Sequence, residues 1–93
     1  MTWRVLICFA LMLTAGAAQA ACFADYKAKR DGPLRLHYGV AEVTGPCSPG
    51  NAQAELAPRL AADGWTLLSV VSVFDASELT EKEENAGEFF LRY

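Results

Sequence analysis

The sequence is poor in the residues and motifs that carry catalysis. It has a single histidine, His37, and it contains no G-x-S-x-G, H-E-x-x-H, C-x-x-C-H or phosphate-binding glycine loop. Nucleophilic catalysis needs a nucleophile, a base and an orienting group within hydrogen-bond reach. These absences argue against catalysis by a known sequence motif. They do not exclude catalysis by residues that form no such motif. We therefore predict no catalytic residue, no metal ligand and no cofactor.

Positive charge is scarce as well. Eight Lys and Arg residues stand against eleven Asp and Glu residues in a chain of 93, for a net charge of −3. An acidic chain repels phosphate, which disfavours a non-specific nucleic-acid binder. A chain of this length allows one small domain and excludes a polytopic membrane protein or a two-domain enzyme.

Residues 1–20 have the pattern of a secretory signal peptide. Arg4 supplies a positive start, an uncharged apolar stretch follows, and Ala18-Gln19-Ala20 is an A-x-A site that predicts cleavage between Ala20 and Ala21. A transmembrane anchor needs about 20 apolar residues, which this interrupted stretch lacks. A lipoprotein acylated at Cys22 is a further alternative, but Gln19 stands where a lipobox carries Leu. We expect an exported protein, periplasmic or secreted, with no membrane span in its single mature domain, residues 21–93.

Cleavage would remove Cys8 and leave Cys22 and Cys47 as the only pair. A domain of about 70 residues is marginal without help, and a disulfide persists in an oxidising compartment. A bridge between these residues closes a loop worth roughly 3 kcal/mol in the chain-entropy model. The alternative, a redox-active pair, lacks the C-x-x-C spacing that lowers a thiol pKa. We predict a structural disulfide.

The first part of the mature domain predicts a hairpin. The segment from Phe23 to Arg30 mixes apolar and charged residues as a half-buried strand would, and the segment from Leu34 to Val43 alternates until a break near Glu42. Between them, Asp31-Gly32-Pro33 is typical of a turn. The disulfide would then close the open end of this hairpin. His37 falls on a strand face between Arg35 and Gly39. We interpret it as a half-exposed strand residue in preference to a general base or metal ligand.

The second part predicts two helices and two strands. A helix is expected from about Asn51 to Asp63, although Pro58 either kinks it or marks the start of a shorter helix. The uncharged run at 66–74 is β-branched and apolar on both faces, as a central strand would be. Asp75 and Glu78 form a capping pattern before a short polar helix, and a final strand is predicted from Glu88 to Tyr93. The predicted fold is α+β, in the order β-β-α-β-α-β, with a mostly antiparallel four-stranded sheet and one main helix on a face.

Two segments carry a resemblance. The run Ala61-Ala62-Asp63-Gly64-Trp65-Thr66-Leu67-Leu68-Ser69-Val70 and the closing Phe90-Leu91-Arg92-Tyr93 are similar to a group of small domains of unknown function, with a helix, a Gly-Trp junction and a valine-rich strand. The mature chain also resembles small exported proteobacterial proteins that have no assigned activity. The resemblance implies a fold and brings no catalytic residues. The N-terminal hairpin and its cysteines depart from the shorter domains.

One helix can cover only one face of the predicted sheet, which leaves apolar side chains for a second layer. The residues expected there are Leu68, Val70, Phe74 and Phe90. The short helix or another subunit could supply that layer. The leading hypothesis is a non-catalytic binding or assembly module with an unknown protein partner or a second copy of itself as a homodimer. The alternatives are a small periplasmic enzyme or ligand binder that uses His37 or a sheet-face pocket, and a lipid-anchored envelope component.

Charged residues are divided between the two ends of the predicted domain. Lys27, Lys29, Arg30 and Arg35 fall at the hairpin tip, whereas Glu78, Glu81, Glu83, Glu84 and Glu88 surround the second helix. The glutamates lack the spacing and the glycine of a calcium loop, so a solvated helix face is the preferred interpretation. The asymmetry could orient self-association or a partner.

Overall fold

The computed structural model describes residues 21–93, so the predicted signal peptide lies outside the described residues. Within this range the chain is α+β, with a three-stranded antiparallel sheet and two helices. The elements in chain order are β1 (Cys22–Arg30), β2 (Arg35–Val43), α1 (Pro49–Ala61), β3 (Thr66–Phe74) and α2 (Leu79–Ala86). Single turns of 3-10 helix precede and follow α2, at Ala76–Glu78 and Gly87–Phe89.

The hairpin forms as predicted. Its register pairs Cys22 with Val43 at the open end and Arg30 with Arg35 beside the turn. The predicted cysteine pair has disulfide geometry, with the Cα atoms of Cys22 and Cys47 5.7 Å apart. The bridge therefore joins the start of β1 to the loop that leads from β2 into α1.

The fourth strand is a wrong prediction. Residues 88–93 do not form a strand, because Gly87 and Leu91 take positive φ values of 54° and 55° that turn the backbone out of an extended path. Instead, Phe90 makes one isolated parallel bridge to Val40, and the Leu91 amide donates to the Val40 carbonyl oxygen at 2.8 Å. The described order is therefore β-β-α-β-α, without a closing strand.

The predicted central position of β3 is also wrong. The strand order is β2-β1-β3, so β1 lies in the centre and β3 at an edge. The uncharged apolar sequence of β3 suggested burial on both faces, but Leu68 and Val71 are each 52% exposed. The pairing of β3 with β1 shifts register at these two residues, so neither has a partner in β1, and no strand of residues 21–93 pairs with the outer side of β3.

Helix α1 begins at an N-cap, Ser48, whose hydroxyl oxygen accepts from the Asn51 amide at 3.2 Å. It buries one stripe, Ala52, Leu56 and Leu60, against the sheet. The helix is continuous through Pro58. Pro58 has no amide hydrogen to donate to the Ala54 carbonyl oxygen. Both residues are exposed, so water can donate to that oxygen instead. Gly64 follows the helix with φ of 80°, the left-handed conformation expected at a helix end.

Each face of the sheet has its own apolar cluster. We call the side packed against α1 the α1 face and the side packed against α2 the α2 face. The α1 face carries the larger cluster, which includes Ala24, Tyr26, Ala28, Ala41, Val43, Leu56, Leu60 and Trp65. The α2 face carries Phe23, Val40, Phe74 and Ala86, with Tyr38, Leu79 and Phe90 partly buried against them. The short helix thus supplies a second layer over one end of the sheet.

Glu55 of α1 holds the loop that contains Cys47. Its carboxylate accepts from the backbone amides of Thr44 and Gly45 at 2.9 and 2.8 Å, and from the side chains of Thr44, Asn51 and Arg59. The hydrogen bonds from the Thr44 and Gly45 amides are the main cause that lowers the pKa of Glu55 to about 2. The loop is therefore fixed by a charged acceptor as well as by the disulfide.

Candidate functional site

The four residues predicted as an interaction surface do not lie together. Val70 packs against the α1-face cluster, whereas Phe74 is buried in the α2-face cluster and Phe90 packs against that same cluster. Only Leu68 is a largely exposed member of the set. The structure therefore brings Phe74 and Phe90 together and separates both from Leu68 and Val70.

Two irregularities in β3 explain this separation. The pairing of β3 with β1 shifts between Asp25 and Tyr26 and again between Lys27 and Ala28, which leaves Val71 and Leu68 without partners in β1. As a result Leu67, Val70 and Val73, spaced by three residues, all pack against the α1-face cluster. The period-two pattern expected of a regular strand does not apply, which is why sequence reasoning placed Val70 with Leu68.

The outer side of β3 carries exposed apolar side chains, and no other strand of residues 21–93 pairs with it. We call this side the β3 edge; its exposed residues are Thr66, Leu68, Ser69 and Val71. None of the nine residues of β3 is charged and none is proline. The other edge of the sheet, β2, is partly covered by the Phe90 bridge. The β3 edge is therefore the unpaired edge of the three-stranded sheet.

His37 lies on the α1 face within a cluster of rings. Its ring stacks on that of Phe89, with centroids 3.7 Å apart, and meets the Trp65 ring edge-on at 4.3 Å. Tyr26 and Tyr93 complete the cluster at 5.3 and 6.2 Å. The histidine is only 8% exposed, so it is buried where we expected a half-exposed residue. The cause is the C-terminal segment, which folds back over it.

The polar contacts of His37 are incomplete. Its Nε2 lies 3.0 Å from the Tyr26 hydroxyl oxygen, while its buried Nδ1 has no hydrogen-bond partner among the described residues. Burial lowers the pKa of His37, and the nearby charges of Arg30 and Arg92 lower it further, against the opposing effect of Glu88. The lowered pKa favours the neutral imidazole. Its ring faces are covered, which leaves little access for a substrate.

Gly39 makes room for this arrangement. Tyr26 and Gly39 are partners across β1 and β2, and a Cβ built on Gly39 would lie 2.8 Å from the Tyr26 Cε1 atom and closer still to its hydroxyl oxygen. The Tyr26 ring therefore occupies the space that a side chain at position 39 would need. This packing positions the hydroxyl that contacts His37.

Sequence reasoning missed a buried carboxylate on the α2 face. Asp25 is 2% exposed, and its two oxygens accept from the Ser72 hydroxyl at 2.7 Å, the Tyr38 hydroxyl at 2.8 Å and the Lys82 ammonium at 3.1 Å. Burial raises the pKa of Asp25, but these three donors outweigh it and the net pKa is lowered. The signal available in the sequence was one acidic residue in the middle of the apolar start of β1.

The Asp25 cluster has the composition of a structural ion pair. The hydrogen bond with Asp25 raises the pKa of Lys82, whose ammonium also lies 5.1 Å from the centroid of the Phe74 ring. Lys82 belongs to α2, so the pair ties that helix to the sheet beneath it. The serine hydroxyl donates to a carboxylate with no histidine beside it, which is not the arrangement that activates a nucleophile.

Other kinds of site receive no support from the described chain. Within residues 21–93 no three His, Cys, Asp or Glu side chains are grouped so that they could hold a metal ion. In the same range no helix has the length and apolar character needed to cross a membrane. No family model, no curated protein and no solved structure matches the chain. The class that the geometry defines is thus a small disulfide-linked α+β domain with one open sheet edge.

Proposed function

We propose that the protein is a non-catalytic binding or assembly module that pairs with a second copy of itself along the β3 edge. The observation that carries the proposal is the uncharged, unpaired β3 edge with Leu68 and Val71 each 52% exposed. Soluble proteins protect such edges with charged residues or proline, because an unpaired edge templates pairing with another chain. The nine residues of β3 contain neither protection.

The partner favoured by this edge is an identical edge. Two identical strands can pair antiparallel about a two-fold axis, which gives a closed homodimer with one extended sheet. An axis through Val70 would set Leu68 of one copy against Ser72 of its partner, and no like charges would meet. The two bulges limit the length of a regular ladder. That limit favours one defined pairing over open-ended stacking.

A substitution on the β3 edge tests this proposal. Val71→Lys places a charge on the edge at a side chain that is already exposed, so we expect the dimer to dissociate at least tenfold more readily while the fold is retained. The matched control is Leu91→Lys, at an exposed apolar residue away from β3. Sedimentation equilibrium of the exported product of the full chain measures both. A wild-type monomer at high micromolar concentration, or equal effects of the two substitutions, would refute the proposal.

We also propose that the protein works after export, in the periplasm or outside the cell. The signal-like residues 1–20 and a cysteine pair in disulfide geometry support this location, because disulfides persist in oxidising compartments. The lipid-anchored alternative needs the Cys22 sulfur that the disulfide occupies, so the two are mutually exclusive. Mass spectrometry of the exported protein distinguishes them. We expect a mass corresponding to residues 21–93 with one disulfide and no acyl chain.

A further inference from the structure

Exposed leucines are concentrated at the hairpin end of the molecule. Leu34 and Leu36 are 64% and 67% exposed, and Leu68 of the neighbouring strand is 52% exposed. All six residues from Asp31 to Leu36 are exposed. Leu34 and Leu36 are two residues apart, and Leu36 is paired with Lys29 on the side of the sheet away from α1. The hairpin tip is therefore an apolar projection that nothing in residues 21–93 covers.

Positive charge is concentrated at the same end. Four of the seven basic residues in 21–93 lie there, namely Lys27, Lys29, Arg30 and Arg35. Lys29 forms an ion pair with Asp31 at 3.4 Å and Arg30 forms one with Asp63 at 3.8 Å, whereas Lys27 and Arg35 form none within the described residues. Helix α2, which carries Glu81, Glu83 and Glu84, packs at the opposite end of the sheet through Leu79 and Ala86, whereas Glu88 beyond it lies beside Arg35. An acidic domain thus has one basic, leucine-bearing end.

We infer that this hairpin end docks on an anionic lipid bilayer surface. Leu34 and Leu36 would enter the boundary between headgroups and acyl chains, and the basic side chains would contact lipid phosphates. Lys27 and Leu68 both lie beside Leu36. Lys27 extends the contact, whereas Leu68 belongs to the β3 edge and is not needed for it. The inference does not depend on pairing along the β3 edge, since a single copy carries the whole patch.

Charge and shape favour a lipid surface over a protein partner. The tip is a projecting turn, which a soft bilayer can accept without a complementary groove. The acidic α2 end would be repelled by the same anionic surface that attracts Lys27 and Arg35, so one orientation is selected. Large exposed apolar residues rimmed by basic ones are the expected composition of such a docking site.

Vesicle co-sedimentation tests the inference. The exported product of the full chain, with its N-terminus checked by mass, is mixed with phosphatidylcholine vesicles with or without one third phosphatidylglycerol. We expect binding to the anionic vesicles only, and a loss of at least tenfold when the salt concentration is raised from 50 to 500 mM. Equal binding to neutral vesicles, or no binding to anionic ones at low salt, would overturn it.

Substitutions assign the binding to the hairpin tip. Leu34→Ser with Leu36→Ser, and separately Lys27→Gln with Arg35→Gln, should each weaken binding to anionic vesicles about tenfold. The matched control is Leu91→Ser, which removes a 46% exposed leucine elsewhere and should change binding less than twofold. All these side chains are largely exposed, and urea unfolding verifies that each variant is folded. An equal loss in the control would refute the assignment.

The oligomeric state separates this inference from the proposed function. The leucine double variant should keep the sedimentation mass of the wild type, because the tip is not part of the β3 edge. If the double variant loses self-association together with vesicle binding, the tip is an interface between copies and the lipid inference fails. If Val71→Lys dissociates the dimer and the monomer still binds anionic vesicles, both proposals stand.

Discussion

The two faces of the sheet bury their titratable groups in opposite ways. On the α2 face, Asp25 is 2% exposed and accepts hydrogen bonds from three donors. On the α1 face, His37 is 8% exposed, with one polar contact and one nitrogen that lacks a partner. Both pKa values are lowered, Asp25 by its donors against burial and His37 chiefly by burial. The α2 face is therefore organised around the charge of Asp25, whereas the α1 face disfavours a charge on His37.

This difference has a simple physical lesson. A buried charge is tolerated when hydrogen bonds replace the water it has lost, and it then fixes the elements that carry its donors. Asp25 in this way connects β1 to β2, β3 and α2 through Tyr38, Ser72 and Lys82. His37 has ring contacts in place of charge, and these hold the C-terminal segment over β2. The two faces should consequently respond differently to substitution and to acid.

Asp25→Asn should produce the largest loss of stability. The substitution removes the charge that pairs with Lys82 inside the α2 face, and breaking a buried ion pair costs about 3 kcal/mol. Urea unfolding at pH 7 measures the change. Glu84→Gln, which neutralises an exposed carboxylate of α2, is the matched control and should change stability by less than about 0.5 kcal/mol. Equal effects would mean that the buried charge does not organise this face.

Gly39→Ala should have the next largest effect, on the α1 face. The added Cβ would collide with the Tyr26 ring, and overpacking of this kind costs about 2 kcal/mol. The measurement is again urea unfolding. Gly50→Ala is the control, because a Cβ there meets nothing within 4 Å and alanine favours a helix. The packing argument is wrong if Gly39→Ala is as stable as the control.

Acid should reduce the stability of the fold through the two faces at different pH values. The pKa of His37 is lowered from its ordinary 6.5, so the unfolded chain binds the proton first and stability falls as the pH drops below 6.5, by at most about 1.4 kcal/mol per pH unit. The pKa of Asp25 is lowered from 3.8, so its contribution is present above 3.8 and is lost below that pH. Urea unfolding from pH 7 to pH 3 tests both.

Substitution identifies the group in each window. His37→Phe should flatten the slope between pH 6.5 and pH 5 and leave the loss below pH 3.8. Asp25→Asn should keep that slope and make the loss below pH 3.8 smaller, with the remainder due to Glu55, whose pKa is lowered to about 2. A His37→Phe profile that retains the full slope above pH 5 would show that another group titrates there. The difference in slope is the quantity of interest, because each substitution also shifts the absolute stability.

Local sequence patterns were sufficient for the elements whose hydrogen bonds are local. The turn at Asp31-Gly32-Pro33 and the alternation that follows it predicted the hairpin, and Gly64 predicted the end of α1. The final strand failed because Phe89, Phe90 and Leu91 alternate as a strand would, while the outcome depended on positive φ at Gly87 and on a distant carbonyl, that of Val40. Alternation alone cannot distinguish these cases.

The candidate sites depended even more on distant residues. Burial of His37 requires Phe89 and Tyr93 to fold back from more than 50 positions away, and Asp25 finds its donors at Tyr38, Ser72 and Lys82. The bulges that separate Val70 from Leu68 appear only when β3 is paired with β1. Composition could indicate that a domain of about 70 residues needs a cross-link, but not which of its side chains face each other.

The contact between Gly39 and the Tyr26 ring has a consequence for sequence divergence. Because a side chain at position 39 and a ring at position 26 would occupy the same space, position 39 cannot gain a side chain while position 26 keeps its ring. Any related chain that carries a residue larger than glycine at position 39 should carry a small residue at position 26. Such a chain would also lack the hydroxyl that meets Nε2 of His37. We therefore expect substitutions at positions 26, 37 and 39 to be correlated among related chains.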